Sequence, residues 1–198
     1  MTTGPGQDVP SPRRTDARLN RERLVAAAHE EFTEAGPDAS LNAIARRAGV
    51  GPGTLYRHFP NRRALLTAVL ADRIRTLCER AEAFSATYGP DEALARWLDA
   101  FLAHARANQG IGGALLIDGA GEPDIDCHRL ILEAADQVLV RAQREGAVRP
   151  DLTAEDLIRL VTGIALATAR DIDEEPARRL LRLVRDAAHA RPRPMSED

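Results

Sequence analysis

Between Ser40 and Arg62 the chain sets out hydroxyl, phenol, imidazole and guanidinium groups in close succession: Ser40, Arg46, Arg47, Thr54, Tyr56, Arg57, His58 and Arg62. All of them donate hydrogen bonds and half carry positive charge, a chemistry suited to phosphate oxygens and base edges. It is not the chemistry of bond-making, because nothing in the set pairs a nucleophile with a base. HExxH, a P-loop and G-x-S-x-G are absent from the whole chain. Cys127 and His128 are neighbours on a predicted helix and so point about 100° apart, a poor nucleophile–base pair. Cys78 and Cys127 join no CxxC or Cys/His cluster and read as reduced, buried or idle thiols. No catalytic residue, cofactor or metal is therefore expected.

What must position these donors is a run of short helices. Leu41, Ile44, Ala45 and Ala48 fall at i, i+3, i+4 and i+7 behind Ser40 as N-cap, and Gly49-Val50-Gly51 ends that helix after two turns. Pro52 suits the first position of the next helix, which runs to about Phe59 and buries Leu55 and Phe59. Pro60-Asn61 breaks the chain again, and Asn61 caps a long helix over about 62–84. Upstream, residues 18–35 form a helix with Leu24, Ala28 and Phe32 on one face, stopped by Gly36-Pro37. Three short helices, two of them joined by a tight glycine turn, describe a helix-turn-helix unit. With Leu55 and Phe59 inward, Pro52, Gly53, Thr54, Tyr56, Arg57 and His58 are left to the outer faces. Gly53 lets the backbone come close to base edges, and Thr54 can bond a base or pack on a thymine methyl. Tyr56 and His58 suit phosphate oxygens, and Arg62 adds a charge-assisted contact. Arg57 could meet a guanine or a phosphate. Arg46 and Arg47 suit a solvated face with incidental phosphate contact.

Ala48-Gly49-Val50, then Gly53-Thr54-Leu55-Tyr56-Arg57-His58-Phe59, then Asn61 and Arg62 together resemble the signature of the TetR (tetracycline-repressor) family of bacterial transcription factors. The resemblance is close over the first third of the chain and extends to the rest only as a helix pattern. It implies a DNA-binding module over about 18–66, with Tyr56, His58 and Arg62 as backbone clamps. Ser40 would be a cap and a candidate phosphate donor. Two positions depart from the pattern: Gly51 stands where the family often has a serine cap, and Arg62 where it usually has lysine.

Beyond Gly89-Pro90 longer helices are predicted over 91–107, 112–118, 126–145, 153–170 and 176–190. The resemblance implies a regulatory domain whose middle helices enclose an apolar pocket and whose last two helices pair with a second copy. Trp97, Phe101 and His104, at i, i+4 and i+7, would border the pocket, followed by Ile111, Leu115, Cys127, Leu130, Ile131 and Ala134. An aromatic stripe at this spacing also reads as ordinary core. The glycine-bearing stretch 110–121 is a candidate mobile element. For the dimer interface the candidates are Leu157, Leu160, Ile164 and Ala167 of one helix with Leu180, Leu183 and Val184 of the other. Gly163 and Ala167 at i, i+4 allow close approach. Two ordinary core helices are the alternative.

The bulk numbers fit an all-α regulator. Residues 1–63 carry ten arginines against seven acids, while the rest of the chain is acidic and the whole has a net charge of −3. A basic head on an acidic body suits a protein whose N-terminal part alone meets phosphate. No apolar run is long enough to span a membrane and no secretory leader is evident, so a cytoplasmic protein is expected. The predicted organisation is a disordered arm at 1–15, a three-helix helix-turn-helix domain at 16–77, and a helical ligand-binding and dimerisation domain at 78–198. Its partners would be double-stranded operator DNA, a second copy, and a small hydrophobic effector that releases a repressor. The alternative is a helix-turn-helix regulator without a pocket, constitutive or governed by a protein partner.

Overall fold

Glycine, proline and short capping side chains set several of the helix ends among the described residues. The computed structural model describes residues 12–108 and 127–189, with side chains from Asp16. Within them run α1 (Pro12–Ala35), α2 (Leu41–Arg47), α3 (Pro52–His58), α4 (Arg62–Thr87), α5 (Pro90–Ala107), α6 (Cys127–Arg144), α7 (Ala154–Ala167) and α8 (Glu175–Ala188). Among the described residues there is no strand, only an isolated bridge between Val148 and His189. The helix expected at 112–118 and the glycine-bearing stretch 110–121 lie outside them.

Ser40 caps α2 by accepting a hydrogen bond from the Ala43 N–H, and Asn61 caps α4 through Ala64 N–H at 2.8 Å. Gly49 turns the chain between α2 and α3 with φ 70°, the left-handed region that favours glycine. Pro52 sits in the first turn of α3, where its missing N–H leaves no bond unmade. Thr153 and Asp156 close a capping box at the start of α7. One expectation needs correction here: α1 begins at Pro12, so residues 12–15 belong to a helix and not to an arm.

Two compact units divide between Val69 and Leu70, inside α4. In the first, α2 packs on α1 and on α3, and Leu24, Ala28, Phe32, Ile44, Ala45, Leu55 and Phe59 are buried. In the second, α5 packs against α6, α7 and α8, with one apolar cluster centred on Trp97, Leu98, Leu139 and Leu157.

The faces of α7 correct part of the interface expectation. Leu157 is 0 % exposed and Ile164 8 %, and both join Val161 and Ala165 in this unit's own core. Leu160, Gly163, Leu166 and Ala167 come out on the other side. The helix is apolar on both faces, so its sequence pattern alone did not tell the inner stripe from the outer one. On α8, Leu181 is buried, Val184 half-buried, and Leu180 and Leu183 exposed. No helix among the described residues is long and apolar enough to cross a membrane.

Candidate nucleic-acid interface

On α3 the inward and outward residues separate as helical geometry demands. Leu55 is 1 % exposed and Phe59, at its C-cap, 2 %. Tyr56, 49 % exposed, stands out from the surface with Pro52, Gly53 and Arg57, while Thr54 and His58 are half-buried at the flanks. The phenol and the guanidinium therefore share the solvent side of one short helix, with the imidazole at its edge. Arg57 folds along that helix, with Nε donating to Gly53 O at 3.2 Å and Nη2 to Thr54 Oγ1 at 3.3 Å.

Two other expected donors make bonds inside the unit. Arg47, placed on the DNA side by the sequence, reaches back to α1 instead. It meets Glu30 at 3.1 Å, Glu31 at 3.0 Å and Glu34 at 2.9 Å. The Glu34 hydrogen bond and the three carboxylates hold its guanidinium well above the usual arginine range, and the same contact lowers the Glu34 carboxyl. An arginine neutralised by three carboxylates is a tie between α1 and α2, so its assignment as a DNA contact is corrected. Arg62 donates Nη1 to Pro37 O at 2.8 Å and Ala39 O at 2.6 Å, fastening the start of α4 to the α1–α2 connection. Arg21 lies over the Phe59 ring, 5.2 Å from its centroid.

In the second unit the expected pocket residues divide three ways. Trp97, Phe101 and Ala134 are buried, and His104, Cys127, Leu130 and Ile131 are half-buried. Ile111 and Leu115 lie outside the described residues. Trp97 donates its indole N–H to Leu77 O at 3.3 Å and stacks on Phe101 with centroids 5.4 Å apart. Phe101 in turn stacks on His104 at 6.4 Å.

At the His104 end is a polar corner that the sequence reading missed. Arg73 of α4 and Asn108 at the α5 C-cap are each 8 % exposed. Arg73 Nη1 donates to Asn108 Oδ1 at 2.6 Å, and Asn108 Nδ2 faces His104 Nδ1 at 3.2 Å. With Oδ1 taking the arginine proton, Nδ2 is the donor and Nδ1 the acceptor. The neutral imidazole then carries its proton on Nε2. Burial, and secondarily the Arg73 charge, hold His104 down to about 4. Burial likewise lowers Arg73. The legible signal was register: Val69, Arg73 and Leu77 are spaced by four, which puts Arg73 on the apolar stripe. Burial also raises the Cys78 thiol, whose Sγ lies 3.5 Å from Leu130 O. Among the described residues no group of three His, Cys, Asp or Glu could hold a metal ion.

Comparison with known proteins bears on both units. Residues 24–69 match the family model of bacterial regulatory proteins of the tetR family. Residues 89–187 match that of the SbtR-like transcriptional regulator C-terminal domain. The HTH-type transcriptional regulator UidR of Escherichia coli (strain K12) is 28 % identical over 168 residues, covering 81 % of this chain and 85 % of that one. Among solved structures, the TetR transcriptional regulator SCO0520 from Streptomyces coelicolor is 37 % identical with a TM-score of 0.76, over 87 % of this chain and 99 % of that one. A TetR transcription regulatory protein from Mycobacterium vanbaalenii is 32 % identical with a TM-score of 0.74, over 90 % and 100 %.

Proposed function

The chain belongs to the TetR family of helix-turn-helix transcriptional regulators, a family that is not enzymatic, and from that premise we propose that it is a cytoplasmic, dimeric repressor released from its operator by a small molecule. The observation that carries the DNA reading is the outward face of α3, where Tyr56 and Arg57 stand away from the buried Leu55 and His58 is half-buried at the edge. Tyr56 and His58 contact phosphates, Gly53 and Thr54 meet the floor of the major groove, and the Arg62 guanidinium adds positive charge at the start of α4. Pro52 and Ser40 hold the ends of α2 and α3 in place. The test is binding to duplexes from the DNA flanking the gene. Tyr56→Phe lowers affinity by a similar factor on every sequence, and unchanged affinity would remove Tyr56 from the clamp.

Dimerisation proceeds through the exposed apolar flanks of α7 and α8. Leu160 at 46 %, Leu180 at 39 % and Leu183 at 55 % exposure lie there, with Gly163 and Ala167 giving room for close backbone approach. The paired copies present two α3 helices to half-sites about one helical turn apart, roughly 34–36 Å, or somewhat wider. Such an interface buries more than about 1,200 Å². A protein that sediments as a monomer at micromolar concentration would defeat this assignment.

For the effector, the aromatic ladder Trp97–Phe101–His104, with Cys127, Leu130, Ile131 and Ala134 nearby in sequence pattern, supports a largely apolar molecule. α4 runs without a break from Arg62 to Thr87 and is the natural lever. A ligand that prefers the released conformation by about 1–3 kcal/mol weakens operator affinity roughly 5- to 150-fold. Trp97 fluorescence and operator release should respond to the same ligand at the same concentration. A second reading, a regulator with a filled core that is constitutive or controlled by a protein partner, is favoured by one observation: Trp97 is already 0 % exposed and stacked. Operator affinity that no small-molecule panel alters, with a Trp97 signal that never moves, would decide for it.

A further inference from the structure

Around α3 each residue turns by about 100°. Leu55 marks the inward direction, and Arg57, two residues later, emerges about 160° from it. Arg57 thus occupies the middle of the outward face. Tyr56 and His58 leave about 100° to either side of it. When a helix lies in a groove, its mid-face residue meets the floor and its flanks meet the walls. The floor is base edges and the walls are phosphates.

The arginine is also held in a particular attitude. Nε donates to Gly53 O at 3.2 Å and Nη2 to Thr54 Oγ1 at 3.3 Å, so the guanidinium lies back over the first turn of α3. Those two donors form the side edge of the planar fork. Its end edge, made by Nη1 and the second Nη2 hydrogen, is left for a partner outside the helix. Two parallel N–H groups at that spacing match O6 and N7 of guanine in the major groove.

We propose that Arg57, positioned by Thr54, reads one guanine in each half-site with its end edge, leaving phosphate contact to Tyr56 and His58. The inference rests on α3 entering the major groove. Thr54 is a positioning residue here: its hydroxyl accepts from Nη2 and fixes the long side chain before DNA arrives, so less rotamer freedom is lost on binding.

The test selects binding sites from a library of duplexes with randomised sequence, using the full-length protein, Arg57→Ala, Thr54→Val and Tyr56→Phe, each checked for native helicity. The wild-type protein should select a palindrome with one invariant guanine per half-site. Arg57→Ala should keep the rest of that palindrome and lose roughly 5- to 150-fold of preference at that single base pair, the range of one bidentate base contact. Thr54→Val, which keeps the shape and removes the acceptor, should weaken the same preference by a smaller factor. Combined with Arg57→Ala it should add nothing there. Tyr56→Phe should lower affinity evenly and leave the guanine in place. If Arg57→Ala weakened all sequences alike with the guanine preference intact, Arg57 would be a phosphate contact and the proposal overturned. An unchanged preference in Thr54→Val would overturn the positioning role. A wild-type protein that selects no palindrome at all would instead overturn the groove-binding reading on which both depend.

Discussion

In the unit that ends at Val69, α2 is tied to α1 by one arginine on three carboxylates, whereas in the unit that follows α5 is held to α6, α7 and α8 by an apolar cluster around Trp97, Leu98, Leu139 and Leu157. The contrast follows from element length. Helices of seven residues bury too little to fix their own orientation, since an isolated helix of that size is unstable and only its packed face holds it. Directional bonds supply the rest: Arg47 to α1, Arg62 to the carbonyls of Pro37 and Ala39, Arg21 across the Phe59 ring. A reading helix must hold its angle in a groove, and directional bonds resist rotation better than apolar contact does. Helices of fourteen to eighteen residues share a large apolar cluster, and their directional bonds come on top of it. Arg106 donates to Thr168 O at 2.8 Å and Thr168 Oγ1 at 2.6 Å, and Arg141 to the carbonyls of Ser85 and Tyr88. There these bonds, like the corner of Arg73 with Asn108 and His104, are added to a core and do not substitute for one.

The largest expected effect tests the apolar side of this contrast on a single helix. Leu157→Ala should cost about 2–5 kcal/mol in urea unfolding, the usual range for a deleted core leucine. Leu160→Ala, three residues on and exposed, should leave the unfolding of the dilute monomer within about 0.5 kcal/mol and weaken self-association seen by sedimentation. Equal losses at the two positions would mean that α7 has no distinct inner face.

Next comes the directional side. Arg62→Ala removes two hydrogen bonds from a charged donor to backbone carbonyls, worth about 1.5–3 kcal/mol for bonds of this kind. It should also lower the salt slope of operator binding by about one unit. Arg62→Lys should recover the slope and not the stability, because an ammonium cannot reproduce the planar fork. Full stability in Arg62→Ala would break the idea that this unit depends on arginine ties.

These outcomes bear on what a sequence can disclose. α2, α3 and the start of α4 were legible because Ser40, Gly49, Pro52 and Asn61 act locally, within a turn of the ends they set. The partners of Arg47 lie 13 to 17 residues upstream, a distance that no periodicity encodes. The inner stripe of α7 was hidden for another reason: Leu157, Leu160, Val161 and Ile164 are alike in type, and only the fold chooses among them. Arg73 was hidden by its charge, which reads as solvated until its register with Val69 and Leu77 is noticed.

The polar corner predicts a smaller, pH-dependent effect. His104 binds its proton near pH 4 when folded and near 6.5 when unfolded. Below 6.5 the unfolded chain therefore holds the extra proton, and stability falls as the pH drops, levelling off only below the folded value. Between pH 7.5 and 5 the loss amounts to about 2 kcal/mol. His104→Gln should be flatter over that window in urea titrations, while carboxylate-driven losses, as from Asp156 or Asp151, begin at lower pH in both proteins. Identical profiles for the two proteins would take the buried imidazole out of the account.

The smallest effect is the most pointed, because its two halves should have opposite signs. Gly53 stands in the first turn of α3, and a Cβ built there meets nothing within 4 Å inside the protein. Packing does not require glycine at this position, and its φ is not positive. In a helix glycine is the poorer choice, so Gly53→Ala should raise stability by about 0.5 kcal/mol, the low end of the usual range because the position is in the first turn. The new methyl would project about 40° from Arg57 on the outward face, where the backbone is proposed to approach the bases. Operator affinity should then fall by about tenfold, or 1.4 kcal/mol. Thermal melting of the free protein and titration of a selected duplex measure the two halves separately. A variant that melts higher and binds as well as the parent would show that the α3 backbone keeps its distance from the groove floor, and Arg57 alone would then have to span the gap.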